Sequence, residues 1–202
     1  NTYQLYQPVL NARAFERMFL ISNLRRALDR NEFVIHYQPE VNIHTGRIEC
    51  IEALLRWRHP DLGLIEPAEF LLAAEEANLA PRSGDWVVRE ACRQARRWAE
   101  SGIHGVRIAV NLSGRQFLEP QLIASLEHAL DETQIAASSL ELEIYETSLR
   151  DANRSMFALS GLRDLGVNLA LDDFGTGRSS FTDMKRMPLN AIKIDASFVR
   201  NV

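Results

Sequence analysis

Residues 140–146 read Leu-Glu-Leu-Glu-Ile-Tyr-Glu. Side chains alternate along an extended chain, so Leu140, Leu142 and Ile144 share one face and Glu141, Glu143 and Tyr145 the other. Working outward, the same two-faced pattern returns. In 106–113, Val106, Ile108, Val110 and Leu112 oppose Arg107, Ala109, Asn111 and Ser113; in 168–174, Leu169 and Leu171 oppose Asn168, Ala170 and Asp172; in 191–195, Ile192 and Ile194 oppose Ala191, Lys193 and Asp195. Stretches with a period near 3.6 lie between them and predict helices over 67–78, 84–100, 120–132, 152–165 and 179–187, with Pro67 and Pro120 at first helical positions. Residues 11–30 carry a further helical stripe through Phe15, Phe19, Leu20, Leu24 and Leu28. Strands at 33–40 and 48–57 flank a Thr-Gly turn in 41–47, which predicts an antiparallel hairpin. Alternating strands and helices predict an α/β protein with a largely parallel sheet. Because parallel sheets are covered by their helices, a barrel with a functional mouth is favoured over a water-facing sheet.

The 202 residues are 46% apolar and 25% charged, the balance of a folded chain. A formal net charge of −4 and a pI near 5.8 exclude a general binder of nucleic-acid polymers, which needs a basic surface. Two cysteines, Cys50 and Cys92, make no disulfide framework and read as buried thiols in a reducing compartment, so a cytoplasmic location is expected, with an inner-membrane anchor on the parent protein left open. No apolar run approaches the ~20 residues of a membrane span. Arg89, Arg93, Arg96 and Arg97 read as a solvated helix face, and Trp57, Trp86 and Trp98 as packing anchors. The histidines show no metal-ligand spacing.

Five strands bring a charged or amide group toward their C-terminal ends: Glu52, Asn111, Glu143, the pair Asp172-Asp173, and Lys193. One such residue is usually a turn or cap residue, and Asp195 is read that way. The constellation is another matter, because crowded carboxylates repel unless a cation neutralises them. Oxygen ligands suit Mg²⁺ or Mn²⁺. Asp172-Asp173 is suited to bridging two ions, as two-metal phosphoester hydrolysis requires, and Lys193 adds a fixed positive charge.

The blocks HYQP (36–39), IEALLRWRHP (51–60), VNLS (110–113), LELEIYE (140–146), LDDFGTGRSSF (171–181) and IKIDASFV (192–199) together resemble the EAL domain family, in family order, from about residue 31 onward. The resemblance implies a modified (β/α)8 TIM-type barrel with an antiparallel first strand. The implied activity is a cyclic-di-GMP phosphodiesterase that forms linear pGpG with two Mg²⁺ or Mn²⁺ ions. It implies that Glu52, Asn111, Glu143 and Asp172 are metal ligands, with Asp172 and Asp173 serving the second ion. Lys193 is then at the reactive centre, Gln38, Leu54 and Arg56 are at the substrate, and Glu146 pins the glycine loop 173–180. That region, 173–187, is the implied homodimer contact.

The sequence departs from the family pattern at three places: Tyr145 where Thr is common, Arg178 for a usual Tyr, and Pro81-Arg82-Ser83 for an apolar stretch. Six strands are legible, whereas such a barrel typically needs ~250 residues. The last two strands, with the family's general-base glutamate, are therefore expected beyond Val202. Residues 1–30 are expected to be a connector and helix from an upstream GGDEF-like domain, and 31–202 a C-terminally incomplete EAL domain. The alternative is a catalytically impaired domain that binds cyclic-di-GMP as a receptor or regulatory module. Turnover separates the two.

Overall fold

A computed structural model describes residues 8–77, 79–149, 152–176 and 184–200. The element order is α1 (Pro8–Ala27), β1 (Phe33–Val41), β2 (Ile48–His59), β3 (Gly63–Ile65), α2 (Pro67–Glu76), α3 (Ala80–Glu100), β4 (Arg107–Leu112), α4 (Gly114–Phe117), α5 (Leu122–Thr133), β5 (Leu140–Tyr145), α6 (Ala152–Leu165), β6 (Asn168–Phe174) and β7 (Ala191–Ile194). Strand order is β1-β2-β4-β5-β6-β7, with β3 paired to β2. The β2-β4, β4-β5, β5-β6 and β6-β7 pairs are parallel. The turn between β1 and β2 is closed by Asn42 N–H donating to Arg47 O at 2.8 Å. So short a connection joins antiparallel neighbours, since a parallel pair needs a crossover. The fold is α/β with a mostly parallel sheet.

The chain divides into two compact units, Asn1–Val34 with Leu55–Ala80, and Ile35–Leu54 with Pro81–Val202. The first is built on aromatic packing. Trp57 is fully buried, its ring 6.2 Å from Phe33 and 5.8 Å from Phe70. The polar edge of Trp57 is satisfied by Nε1 donating to Glu32 Oε2 at 3.0 Å, as a buried indole requires. Pro67 opens α2 behind a capping box of Glu66 and Glu69.

In the second unit, Ile108, Val110, Leu112, Leu140, Leu142, Ile144, Leu169 and Leu171 are wholly buried on the outer face of the sheet. Val88, Ala91 and Cys92 of α3, Leu126 and Ala129 of α5, and Leu159 and Leu162 of α6 are buried alongside them in the same unit. This burial is the dominant favourable term for the unit.

Three expectations need correction. Pro120 is not a first helical residue: Gln121 is the N-cap and α5 starts at Leu122. The helix expected from Gly84 starts at Ala80, and Gly84 lies within it, where a Cβ would meet the buried Gln116 side chain. Strand β3 was not anticipated, because three residues are too few to show an alternation. Most of the helix expected over 179–187 lies outside the described residues.

The β6-β7 pair contains one irregularity. Leu171 pairs with Ile192 and Phe174 with Ile194, so Asp172 and Asp173 together face Lys193. This is a bulge, two residues against one, and Asp173 takes a left-handed φ of 52° to make it.

Candidate metal and catalytic centre

Register sets the inner-face residues in rows. Glu52, Ala109, Glu141 and Asn168 form one row; Asn111, Glu143, Ala170 and Ala191 the next; Tyr145 and Asp172 the third. The polar groups thus climb in steps from strand to strand and do not share one level, as expected when parallel strands are staggered. Side-chain reach then closes the gaps. Asn111 Nδ2 donates to Glu52 Oε1 at 2.7 Å across one row. Lys193 Nζ donates to Glu52 Oε2 at 3.2 Å and to Glu143 Oε1, and pairs with Glu40 Oε1 at 2.7 Å. Asp172 Oδ1 accepts Asp173 N–H at 2.9 Å, which steadies the bulge.

The electrostatics follow from this crowding. Burial pushes the Glu143 carboxyl up to about 8, Glu52 and Asp172 push the same way, and Lys193 opposes them. Burial works against the Lys193 charge but is outweighed by Glu143, Glu40 and Glu52, so its pKa is raised. Asp173 is raised by burial and then by Asp172 and Asp195.

Two acceptors in this cluster are buried and have no hydrogen-bond partner among the described residues: Asn111 Oδ1 and Glu143 Oε2. An orphaned buried acceptor costs about 1–3 kcal/mol, more when charged. Two of them beside Glu52 form a set of hard oxygen donors that fits a divalent cation. Ligand atoms of Glu40, Glu52 and Glu143 all lie within 4.8 Å of one another.

Glu146 is buried and accepts Gly175 N–H at 2.9 Å, while Asp173 O accepts from Thr176 N at 3.2 Å and from its Oγ1 at 2.8 Å. Gly175 has φ +101°, and a Cβ there would collide with the Phe198 ring. The rest of the glycine loop, with Gly177 and Arg178, lies outside the described residues. Gln38 is exposed on β1, and Leu54 is half-buried on the face of β2 that carries Glu52. Arg56 belongs to the other compact unit, where Nη1 donates to Leu55 O at 2.8 Å and Nη2 lies 3.9 Å from Glu66. Asp195 caps a short 3-10 turn by accepting Ser197 N–H at 2.9 Å.

Glu40 was not singled out from the sequence. It shares the parity of Gln38, which was the available signal. Glu141, which parity places on the face of Glu143, is buried, accepts Arg107 Nε at 3.0 Å and faces the Cys50 thiol at 4.0 Å. Cys50 is wholly buried, in keeping with an interior filler.

This α/β domain gathers carboxylates, an asparagine and a lysine around orphaned oxygen acceptors on its inner strand faces, a donor set able to hold a divalent cation next to an ammonium. The chain belongs to the EAL domain family, whose model matches residues 21–202. It is 43% identical over 203 residues to the bifunctional diguanylate cyclase/cyclic di-GMP phosphodiesterase MucR of Pseudomonas aeruginosa, covering 100% of this chain and 30% of that protein. It is 37% identical over 199 residues to the cyclic di-GMP phosphodiesterase PdeR of Escherichia coli, covering 98% of this chain and 30% of that protein. The chain thus spans about 30% of the length of these relatives. The solved PaMucR phosphodiesterase, a c-di-GMP complex, superposes with a TM-score of 0.87 at 44% identity, over 90% of this chain and 74% of that one. The FimX EAL domain from Pseudomonas aeruginosa bound to c-di-GMP gives 0.81 at 30% identity, over 90% and 73%. EAL domains have a TIM-barrel-like fold, which the mostly parallel sheet shares. Among the described residues no helix is long and apolar enough to cross a membrane.

Proposed function

We propose that this domain is a cyclic di-GMP phosphodiesterase, opening the cyclic dinucleotide to linear pGpG with Mg²⁺ or Mn²⁺. The observation that carries this is the pair of orphaned acceptors, Asn111 Oδ1 and Glu143 Oε2, beside Lys193 in an EAL domain. A divalent cation there supplies charge neutralisation at phosphoryl oxygens and lowers the pKa of bound water. Glu52, Asn111, Glu143 and Asp172 hold the first ion. The bulge offers the Asp172 and Asp173 carboxylates separately, which suits a second. Lys193 keeps a positive charge where negative charge builds on phosphorus-bound oxygen. Glu146 positions the start of the glycine loop through Gly175, and Gln38 and Leu54 line the substrate. The same reading takes the 173–187 region as a homodimer contact and a GGDEF-like domain as an upstream neighbour. The bifunctional name of one relative supports the latter.

The test is chromatographic detection of pGpG from cyclic di-GMP. Product is expected with Mg²⁺ or Mn²⁺ and none with excess EDTA. Glu52→Ala and Asp172→Asn are each expected to lower the rate by about 10²-fold or more, the scale of losing a preorganised electrostatic group. Cyclic di-GMP binding without turnover in the metal-loaded wild type would instead mark a receptor.

A further inference from the structure

Glu40 stands outside the ligand set proposed above, yet it makes the 2.7 Å contact to Lys193 Nζ. Three carboxyl groups, Glu40, Glu52 and Glu143, share one ammonium. Two of the three have a competing commitment. Glu52 Oε1 is tied to Asn111, whose Oδ1 is orphaned, and Glu143 Oε2 is orphaned and buried. A cation drawn to these oxygens sets a second positive charge beside the ammonium, and like charges at contact distance repel.

Glu40 is the partner left to the ammonium. It comes from β1, whereas the oxygen donors come from β2, β4, β5 and β6. Its other polar neighbours do not compete for Lys193. Ligand atoms of Cys50 and Glu141 lie within 4.8 Å of it, but Glu141 is already paired with Arg107 and the buried Cys50 thiol is a weak acceptor.

We propose that Glu40 is a positioning residue that holds the Lys193 ammonium aside when a divalent cation occupies the site of Glu52, Asn111, Glu143 and Asp172, so that ammonium and cation are seated together. The inference rests on the cation reading of this site and is independent of which phosphodiester is cut. Without Glu40, Lys193 falls back on Glu52 and Glu143 and competes with the ion.

The experiment is calorimetric titration of Mg²⁺ into the wild-type protein, Glu40→Gln, Lys193→Met and the double variant, each first shown to be folded by circular dichroism. Glu40→Gln is expected to weaken Mg²⁺ binding about tenfold or more, the scale of losing a residue that orients a metal site from outside it. In the Lys193→Met background the same substitution is expected to change affinity less than about twofold, because the competitor is gone. Glu40→Asp, which keeps the charge, should retain most of the wild-type affinity. Unchanged affinity in Glu40→Gln overturns the proposal. An equal loss in both backgrounds also overturns it, by making Glu40 a direct ligand. A wild type that binds no Mg²⁺ overturns this inference and the cation reading together. Mg²⁺ binding without cyclic di-GMP turnover removes only the phosphodiesterase reading.

Discussion

The Cys50 and Cys92 thiols are both pushed up to about 12, first by burial and then by a neighbouring carboxylate, Glu141 for one and Glu132 for the other. Only the thiolate is nucleophilic, and at pH 8 a group titrating near 12 is ionised to roughly one part in 10⁴. Neither thiol should react with Ellman's reagent in the native protein, and both should react in denaturant. The sign for stability follows from linkage: the unfolded thiols ionise near 9 and the folded ones near 12, so stability is complete below pH 9 and falls as pH rises toward 12. Urea midpoints across that range test it. Glu146 offers a second residue-scale test. Removing its carboxylate strips Gly175 N–H of an acceptor, so Glu146→Ala should cost about 1–3 kcal/mol in urea unfolding. Parity assigned Glu52, Asn111, Glu143 and Lys193 to one face from sequence alone, because alternation is strict in a strand. It gave no depth. Glu40 was passed over for that reason: it follows Pro39 on β1, which a short turn joins to β2 as an antiparallel neighbour, so position along the chain and position along the parallel strands run in opposite senses.

At the scale of elements, four strands were legible from alternation and the opening pair from short apolar stretches around a Thr-Gly turn, and α6 was expected at Ala152–Leu165, where it lies. The failures are equally physical. Pro120 tolerates a first helical position but equally a turn, and Leu122 N–H donating to Glu119 O at 3.1 Å makes it a turn. The stepped rows depend on register, which is set by pairing across strands and is invisible along one of them. Gly175 gives an element-scale prediction. Gly175→Ala places a Cβ against Phe198 at a φ that L-residues avoid, so it should lower stability by about 1–2 kcal/mol. Pairing it with Phe198→Ala should recover only the steric share and leave the backbone share, as read by thermal melts.

For the molecule as a whole, the proposed cation site is assembled only by folding, because its donors come from separate strands. A ligand that binds only the native state stabilises by RT ln(1 + [L]/Kd), about 2.7 kcal/mol at a hundredfold excess over Kd. Millimolar Mg²⁺ should therefore raise the melting temperature, EDTA should reverse the rise, and Asn111→Ala with Glu143→Gln should abolish it. The absence of any Mg²⁺-dependent shift in the wild type would sink the cation reading.

The bulge at Asp172-Asp173 also bears on how this chain tolerates deletions. Losing one residue from a regular strand turns every later side chain to the opposite face. Here Leu171 and Phe174 already pair with Ile192 and Ile194, two residues apart, so the strand holds one residue more than its ladder needs. Excising Asp173 restores plain alternation and keeps Phe174 and Ile194 in register. A chain lacking that single residue should melt cooperatively and yet be inert. That would make it a rare internal deletion that separates folding from chemistry.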